Sequence, residues 1–95
     1  MEYAKARHIL VEDEKKCLEI KNNIENGSES FEDAAKSYSK CPSGKEGGDL
    51  GEFGKGRMVP EFDKAVFSGT EGEILGPVET EFGYHLIRVD ELRSA

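Results

Sequence analysis

The sequence predicts an α+β domain with a mainly antiparallel sheet, and three observations carry that prediction. Strand-like runs stand near both ends, at Tyr3–Val11 and Tyr84–Leu92. Amphipathic helical segments fill much of the space between them. The order strand, helices, strand, helix, strand, strand lacks the regular alternation of a parallel sheet. At 95 residues the chain makes one domain, 1–95, with no room for a second core.

Each element has its own signal. In Ala4–Val11 a two-residue period puts His8 in phase with Ala4, Ala6 and Leu10. Helix one is expected from about Asp13 to Glu25, with Cys17, Ile20 and Ile24 on one stripe and Leu18 beside it. Asn26-Gly27 stops it. Ser30 reads as an N-cap, followed by Phe31, Ala34, Ala35 and Tyr38 at helical spacing. From Lys40 to Arg57 the chain is glycine-rich and irregular, apart from a short strand around Leu50–Phe53. Pro60 suits a first helical position, and Phe62, Ala65 and Val66 give helix three its apolar stripe before Gly69. Gly76-Pro77 opens a short strand through Thr80, and Glu81-Phe82-Gly83 turns the chain into the last strand. There His85 is in phase with Ile87 and Val89.

Composition narrows the function. A hydrophobic fraction of 36% demands a compact core. Twenty acidic side chains against 13 basic ones leave a net charge of -7, which repels nucleic acid and anionic membrane surfaces. The start of the sequence has no apolar run suited to a signal peptide or a membrane span, so cytoplasmic residence is expected. The two cysteines, Cys17 and Cys41, form no C-x-x-C motif, and a reducing compartment disfavours their pairing. After the helices are assigned no large apolar stripe is left exposed, so a monomer is expected.

His8 and His85 are the only histidines, and both periods point them inward. One inward imidazole is usually a satisfied core residue. Two arriving at one sheet from both ends suggest a shared site. Several chemistries can be weighed there. A P-loop needs Gly where Asp49 stands and Ser or Thr where Gly56 stands, and a dinucleotide fingerprint needs Gly at Val59. The glycines instead suit tight turns and close backbone approach. His8, His85, Cys17 and Cys41 lack the short-spaced ligand pairs of a zinc site, so no metal is expected. Cys41 with a histidine could make a nucleophilic pair, but no oxyanion hole is evident. The remaining constellation is apolar: Leu50, Phe53, Met58, Phe62 and Phe82. With two histidines, a thiol and Thr80 they could line an apolar pocket with a polar floor.

Four co-linear segments then carry a resemblance over essentially the whole chain: His8–Val11, Gly47–Phe53, Met58–Phe62 and Phe82–His85. Together they resemble the signature segments of the parvulins, a family of peptidyl-prolyl cis/trans isomerases, and most nearly the small stand-alone bacterial kind. The resemblance implies a four-stranded antiparallel sheet surrounded by about four helices, an FKBP-like superfold, with the fourth helix a short turn in Pro42–Gly47. It implies that Leu50, Met58 and Phe62 form the proline pocket, with Phe82 standing where some relatives have Ser; Phe82 and Phe53, for which ordinary core packing is the alternative, are expected on the substrate surface. It implies a catalytic set of His8, Cys41, Thr80 and His85, with Cys41 standing where the family has Cys or Asp. It also implies proline-containing peptides and unfolded segments as partners, a role in assisting protein folding, and no cofactor.

Phosphate-selective parvulins carry a basic loop after strand one, whereas Val11-Glu12-Asp13-Glu14 places three carboxylates there. An apolar residue before proline is therefore expected, with no phosphate requirement. A module that holds unfolded segments without catalysis is the rival reading, and a structural domain using its acidic face is a more distant one.

Overall fold

The two strand runs from opposite ends of the sequence meet as neighbours. In the computed structural model β1 (Glu2–Val11) lies antiparallel beside β4 (Gly83–Ser94), with β2 (Asp49–Gly54) outside β1 and β3 (Ile74–Thr80) outside β4. The remaining elements are α1 (Glu14–Glu25), α2 (Phe31–Tyr38), a 3-10 helix at Pro42–Glu46, and α3 (Pro60–Ser68). The structure describes residues 2–94, so the outermost positions of the expected domain 1–95 lie outside it.

The sheet separates two cores, because both of its faces are covered. On one face Ile9, Val11 and Leu86 pack with Cys17 and Ile20 of α1 and with Phe31, Ala34 and Ala35 of α2. On the other, Ala4, Ala6, Ile87 and Val89 pack with Phe53 and with Phe62 and Val66 of α3. Alternation in the strands sorts the residues: odd positions of β1 near its end face α1 and α2, while His8 shares the other face with Ala4 and Ala6. The histidine phase read from the sequence therefore holds, and both strands are buried on their second face as well.

Local chemistry fixes the helix ends. Asp13 caps α1 by accepting from the Lys15 N–H, and Ser30 caps α2 by accepting from the Asp33 N–H at 3.1 Å. Pro60 begins α3 at a position whose missing N–H costs nothing. Leu18, beside the apolar stripe of α1, is 44% exposed, and the stripe is narrow enough to bury only Cys17 and Ile20 fully.

Two strand boundaries differ from expectation. β3 begins at Ile74, before Gly76-Pro77, because Ile74 and Leu75 pair with Arg88 and Ile87 and the irregularity is absorbed between Leu75 and Val78. An edge strand tolerates a proline there, since its missing donor can face outward. β4 runs on to Ser94, and a bulge accommodates one extra residue: Lys5 faces Glu91 while Ala6 faces Val89, which leaves Asp90 unpaired. Asp90 is held by Arg7 and Arg88, each with Nε 3.0 Å from one of its carboxylate oxygens. The extra residue returns Leu92 to the core that already contains Val89.

Candidate active site

His8 and His85 come together because β1 and β4 register His8 against Ile87 and Leu10 against His85. That diagonal places both imidazoles on one face, stacked with centroids 5.2 Å apart and with their Nδ1 atoms at 3.0 Å. They are 6% and 4% exposed. Phe62, from the first turn of α3, sets its ring edge-to-face on both, at 5.5 and 5.4 Å.

The pair sits inside a longer chain of contacts. His85 Nε2 lies 2.8 Å from Thr80 Oγ1, and Thr80 Oγ1 accepts from the Phe82 N–H at 3.1 Å. At the other end His8 Nε2 lies 3.1 Å from Ser43 Oγ, and the Ser43 hydroxyl donates to Cys41 Sγ at 3.3 Å. One direction of donation uses every N–H and O–H proton and leaves over only the weakly donating S–H of Cys41. Phe82 N–H donates to Thr80, Thr80 O–H to His85 Nε2, His85 Nδ1–H to His8 Nδ1, His8 Nε2–H to Ser43, and Ser43 O–H to the sulfur. The opposite direction would leave the Thr80 proton without a partner in this chain. Each imidazole is then neutral with a single N–H. Burial, followed by the charge of His85, pushes His8 from 6.5 down to about 4, and burial also lowers His85.

Backbone contacts set this chain beside β1. Ser39, just past α2, accepts on its hydroxyl from the N–H of Leu10 at 3.1 Å and from that of Cys41 at 3.3 Å. The Lys40 N–H donates to the Leu10 carbonyl at 2.7 Å. On the other side of His8, its N–H donates to the Gly48 carbonyl at 2.9 Å. Gly48 has φ +86, and a Cβ there would meet the His8 carbonyl oxygen at 2.5 Å, so only glycine fits this approach.

Above the histidines opens a cavity of about 400 Å³. Leu10, Leu50, Met58, Val59, Phe62 and Phe82 form its apolar walls, while His8, His85, Cys41, Pro42 and Lys40 complete the lining. Phe82 is 60% exposed on the turn between β3 and β4 and forms part of the rim. The arrangement can take a compact apolar group against a rigid floor and offer hydrogen bonds at the edge.

Most residues singled out from the sequence converge here, with two differences of position. Thr80 lies behind His85 and does not line the cavity. Phe53 was expected on the substrate surface, but it packs in the core behind Phe62, with ring centroids 6.4 Å from Phe62 and 6.1 Å from Phe67. It braces the pocket wall because it lies opposite Ala4, where β1 faces α3. Ser43 was not anticipated. Its signal is its place two residues beyond Cys41 in the tight 3-10 turn, which sets its hydroxyl between the Cys41 sulfur and His8. Leu10, Val59, Pro42 and Lys40 also line the cavity, a role the sequence assigns to none of them. Cys17 lies in the other core, and burial raises its thiol to about 11. It stands across the sheet from the histidines.

The sequence matches the family model described as PPIC-type PPIase domain, or rotamase, over residues 5–91. It is 48% identical over 88 residues to the foldase protein PrsA of Geobacillus kaustophilus, covering 92% of this chain and 31% of that protein. The chain thus spans about a third of the length of the curated relatives it matches. Among solved structures, PrsA from Bacillus anthracis superposes with a TM-score of 0.93 at 41% identity, covering 98% of this chain and 43% of that one. NmPin, the parvulin of Nitrosopumilus maritimus, gives 0.83 at 39% identity, covering 94% of this chain and 96% of that one.

Proposed function

Because this chain belongs to the PPIC-type, or parvulin, family of peptidyl-prolyl cis/trans isomerases, we propose that it accelerates rotation about X-Pro bonds in protein segments and so assists their folding. The carrying observation is the cavity itself: an apolar recess of about 400 Å³ floored by two buried histidines whose Nδ1 atoms lie 3.0 Å apart.

The physics of the reaction asks for such a place. Rotation about an amide has a barrier of about 18–20 kcal/mol because resonance holds the bond planar. For X-Pro the two isomers differ by only about 0.5–1 kcal/mol, so the task is kinetic. As the bond twists, resonance and charge separation fall, and an apolar surround suits the twisted form better than water does. The proline ring fits against Leu50, Met58 and Phe62, while the preceding carbonyl rotates near Cys41. Donors held in place beforehand stabilise the twisted state without reorganising as it forms. The chain from Phe82 to Cys41 supplies that rigidity. Its last hydroxyl is spent on the sulfur, which leaves the Cys41 S–H as the unspent donor at the cavity edge and makes Cys41 a polar neighbour of the carbonyl; no covalent step is required.

Met58, Val59 and Phe82 around the recess favour an apolar residue before proline. Glu12 and Asp13 line the adjoining depression, which disfavours a phosphate there. The same proposal extends to a monomer and to cytoplasmic residence. The free thiols Cys17 and Cys41 suit a reducing compartment.

Exchange NMR on a short Leu-Pro peptide with sub-stoichiometric protein tests the activity. Cis and trans resonances should exchange far faster than in the blank. Unchanged exchange from a folded sample, with peptide shifts still reporting binding, would replace catalysis by a holding role. Light scattering and cell fractionation check the other two points, and a dimer mass or a membrane-bound fraction would overturn them.

A further inference from the structure

Beside the catalytic cavity lies a second depression of about 340 Å³, lined by Lys36, Ser39, Lys40, Cys41, Pro42, Gly44 and Lys45. Lys40, Cys41 and Pro42 line both, so the two hollows adjoin across this ridge. Three exposed lysines thus surround one recess in a chain whose net charge is -7. None of the three takes part in an ion pair among the described residues. The placement is not an accident of helix solvation alone, because Lys36 comes from α2, Lys40 from the connection, and Lys45 from the 3-10 helix. Asp33 and Glu46 stand nearby in sequence, yet neither bonds to a lysine of the group.

On the far side of Lys40 the charge reverses. The next depression is lined by Val11, Glu12, Asp13, Lys16, Ser37, Tyr38 and Lys40. There Lys16 is engaged by Glu19 at 3.3 Å, so the free charge of that side is mostly carboxylate. The mouth of the cavity is therefore polarised, with lysines on one flank and carboxylates on the other. A polypeptide lying across it would be selected by charges outside the proline pocket.

We infer that the Lys36–Lys40–Lys45 recess is a substrate subsite for carboxylate side chains flanking the proline by a few residues. This rests on the isomerase reading and adds a specificity that the apolar pocket cannot provide. The occupant is an acidic polypeptide segment, since the lysines are complementary to carboxylates and the recess adjoins the hollow where the polypeptide would turn. At ordinary ionic strength the Debye length is about 10 Å, so the local lysines outweigh the distant acidic surface.

The test compares Leu-Pro peptides flanked on both sides by two glutamates, two glutamines or two lysines. At about 0.05 M salt the Glu-flanked peptide should show kcat/KM roughly three- to five-fold above the Lys-flanked one. The net charge alone predicts the opposite order, so the sign of the difference decides. The preference should vanish near 0.5 M salt, where screening is nearly complete. In Lys36→Glu/Lys45→Glu, which leaves the lining of the catalytic cavity untouched, it should reverse while the Gln-flanked peptide turns over as before; circular dichroism checks the fold. Equal rates, faster turnover of the Lys-flanked peptide, or a preference surviving in the double variant would overturn the subsite. If the Gln-flanked peptide were not accelerated by the wild type, the isomerase reading itself would fall, a result distinct from acceleration without flank selectivity.

Discussion

Lowering the pH from 7 to 5 should destabilise this fold through its histidine pair. His8 is held neutral in the folded chain, with its value lowered to about 4, whereas the unfolded chain titrates near 6.5. Between those values the unfolded chain binds a proton that the folded chain refuses, so stability falls as pH falls through 6.5 toward 4. The contribution is complete above the unfolded value and lost below it. Working through the linkage, the penalty grows from about 0.2 kcal/mol at pH 7 to about 2 kcal/mol at pH 5 for His8 alone. His85 is also lowered and acts in the same direction. The window suits these groups, because imidazole is the side chain whose ordinary value lies within it and the chain has only two histidines. Geometry supports the sign: with Nδ1 atoms 3.0 Å apart, two imidazolium rings would point protons at each other. Urea denaturation at the two pH values reads the effect as a midpoint lower by roughly 1–2 M at pH 5. A histidine ring-proton NMR titration should show His8 unprotonated until well below pH 5.5. An unchanged midpoint, or an ordinary titration near 6.5, would refute the buried neutral pair.

Other perturbations separate the parts of the site. Phe62→Ala removes a ring that is 3% exposed and packs on both histidines, so peptide isomerisation should collapse and stability fall by about 3–5 kcal/mol in a denaturant titration. Near-normal turnover would mean that the proline ring binds elsewhere. Cys41→Asp keeps an acceptor for the Ser43 hydroxyl and should retain activity within about ten-fold; a loss as deep as that of Phe62→Ala would argue for a nucleophilic thiol. Gly48→Ala drives a methyl into the His8 carbonyl from a backbone at φ +86, and should cost about 1–3 kcal/mol while disturbing the His8 ring signals. An alanine variant with unaltered stability would show that the close approach is not constraining.

What the sequence conveyed and what it concealed divide along a physical line. Periodicity is a local property, so the inward phase of His8 and His85 could be read from six or eight residues around each. Their meeting is not local: it depends on the register of β1 against β4, which pairs Leu10 with His85 and His8 with Ile87. The bulge at Asp90 shows the limit. An unbroken two-residue period would send Leu92 to the face opposite Val89, yet both pack in one core because the extra residue resets the phase. Nothing in Val89–Leu92 announces that slip, and the arginines that grip Asp90 come from β1 and from β4 itself. Phe53 illustrates the same point for the pocket. Its place in an apolar cluster with Leu50 and Phe62 was visible, but its direction was fixed by facing Ala4 and by the two rings of α3 against it. Ser43 was hidden for a different reason. A serine in a glycine-rich loop is ordinary turn chemistry, and only the 3-10 winding of Pro42–Glu46 turns its hydroxyl toward His8. The residue types that make a hydrogen-bond chain are thus legible one by one, whereas their order in the chain is a property of the fold. That order gives the site its asymmetry. A backbone N–H that can only donate, at Phe82, closes the chain at Thr80, and the thiol of Cys41 ends it at the cavity edge beyond both histidines.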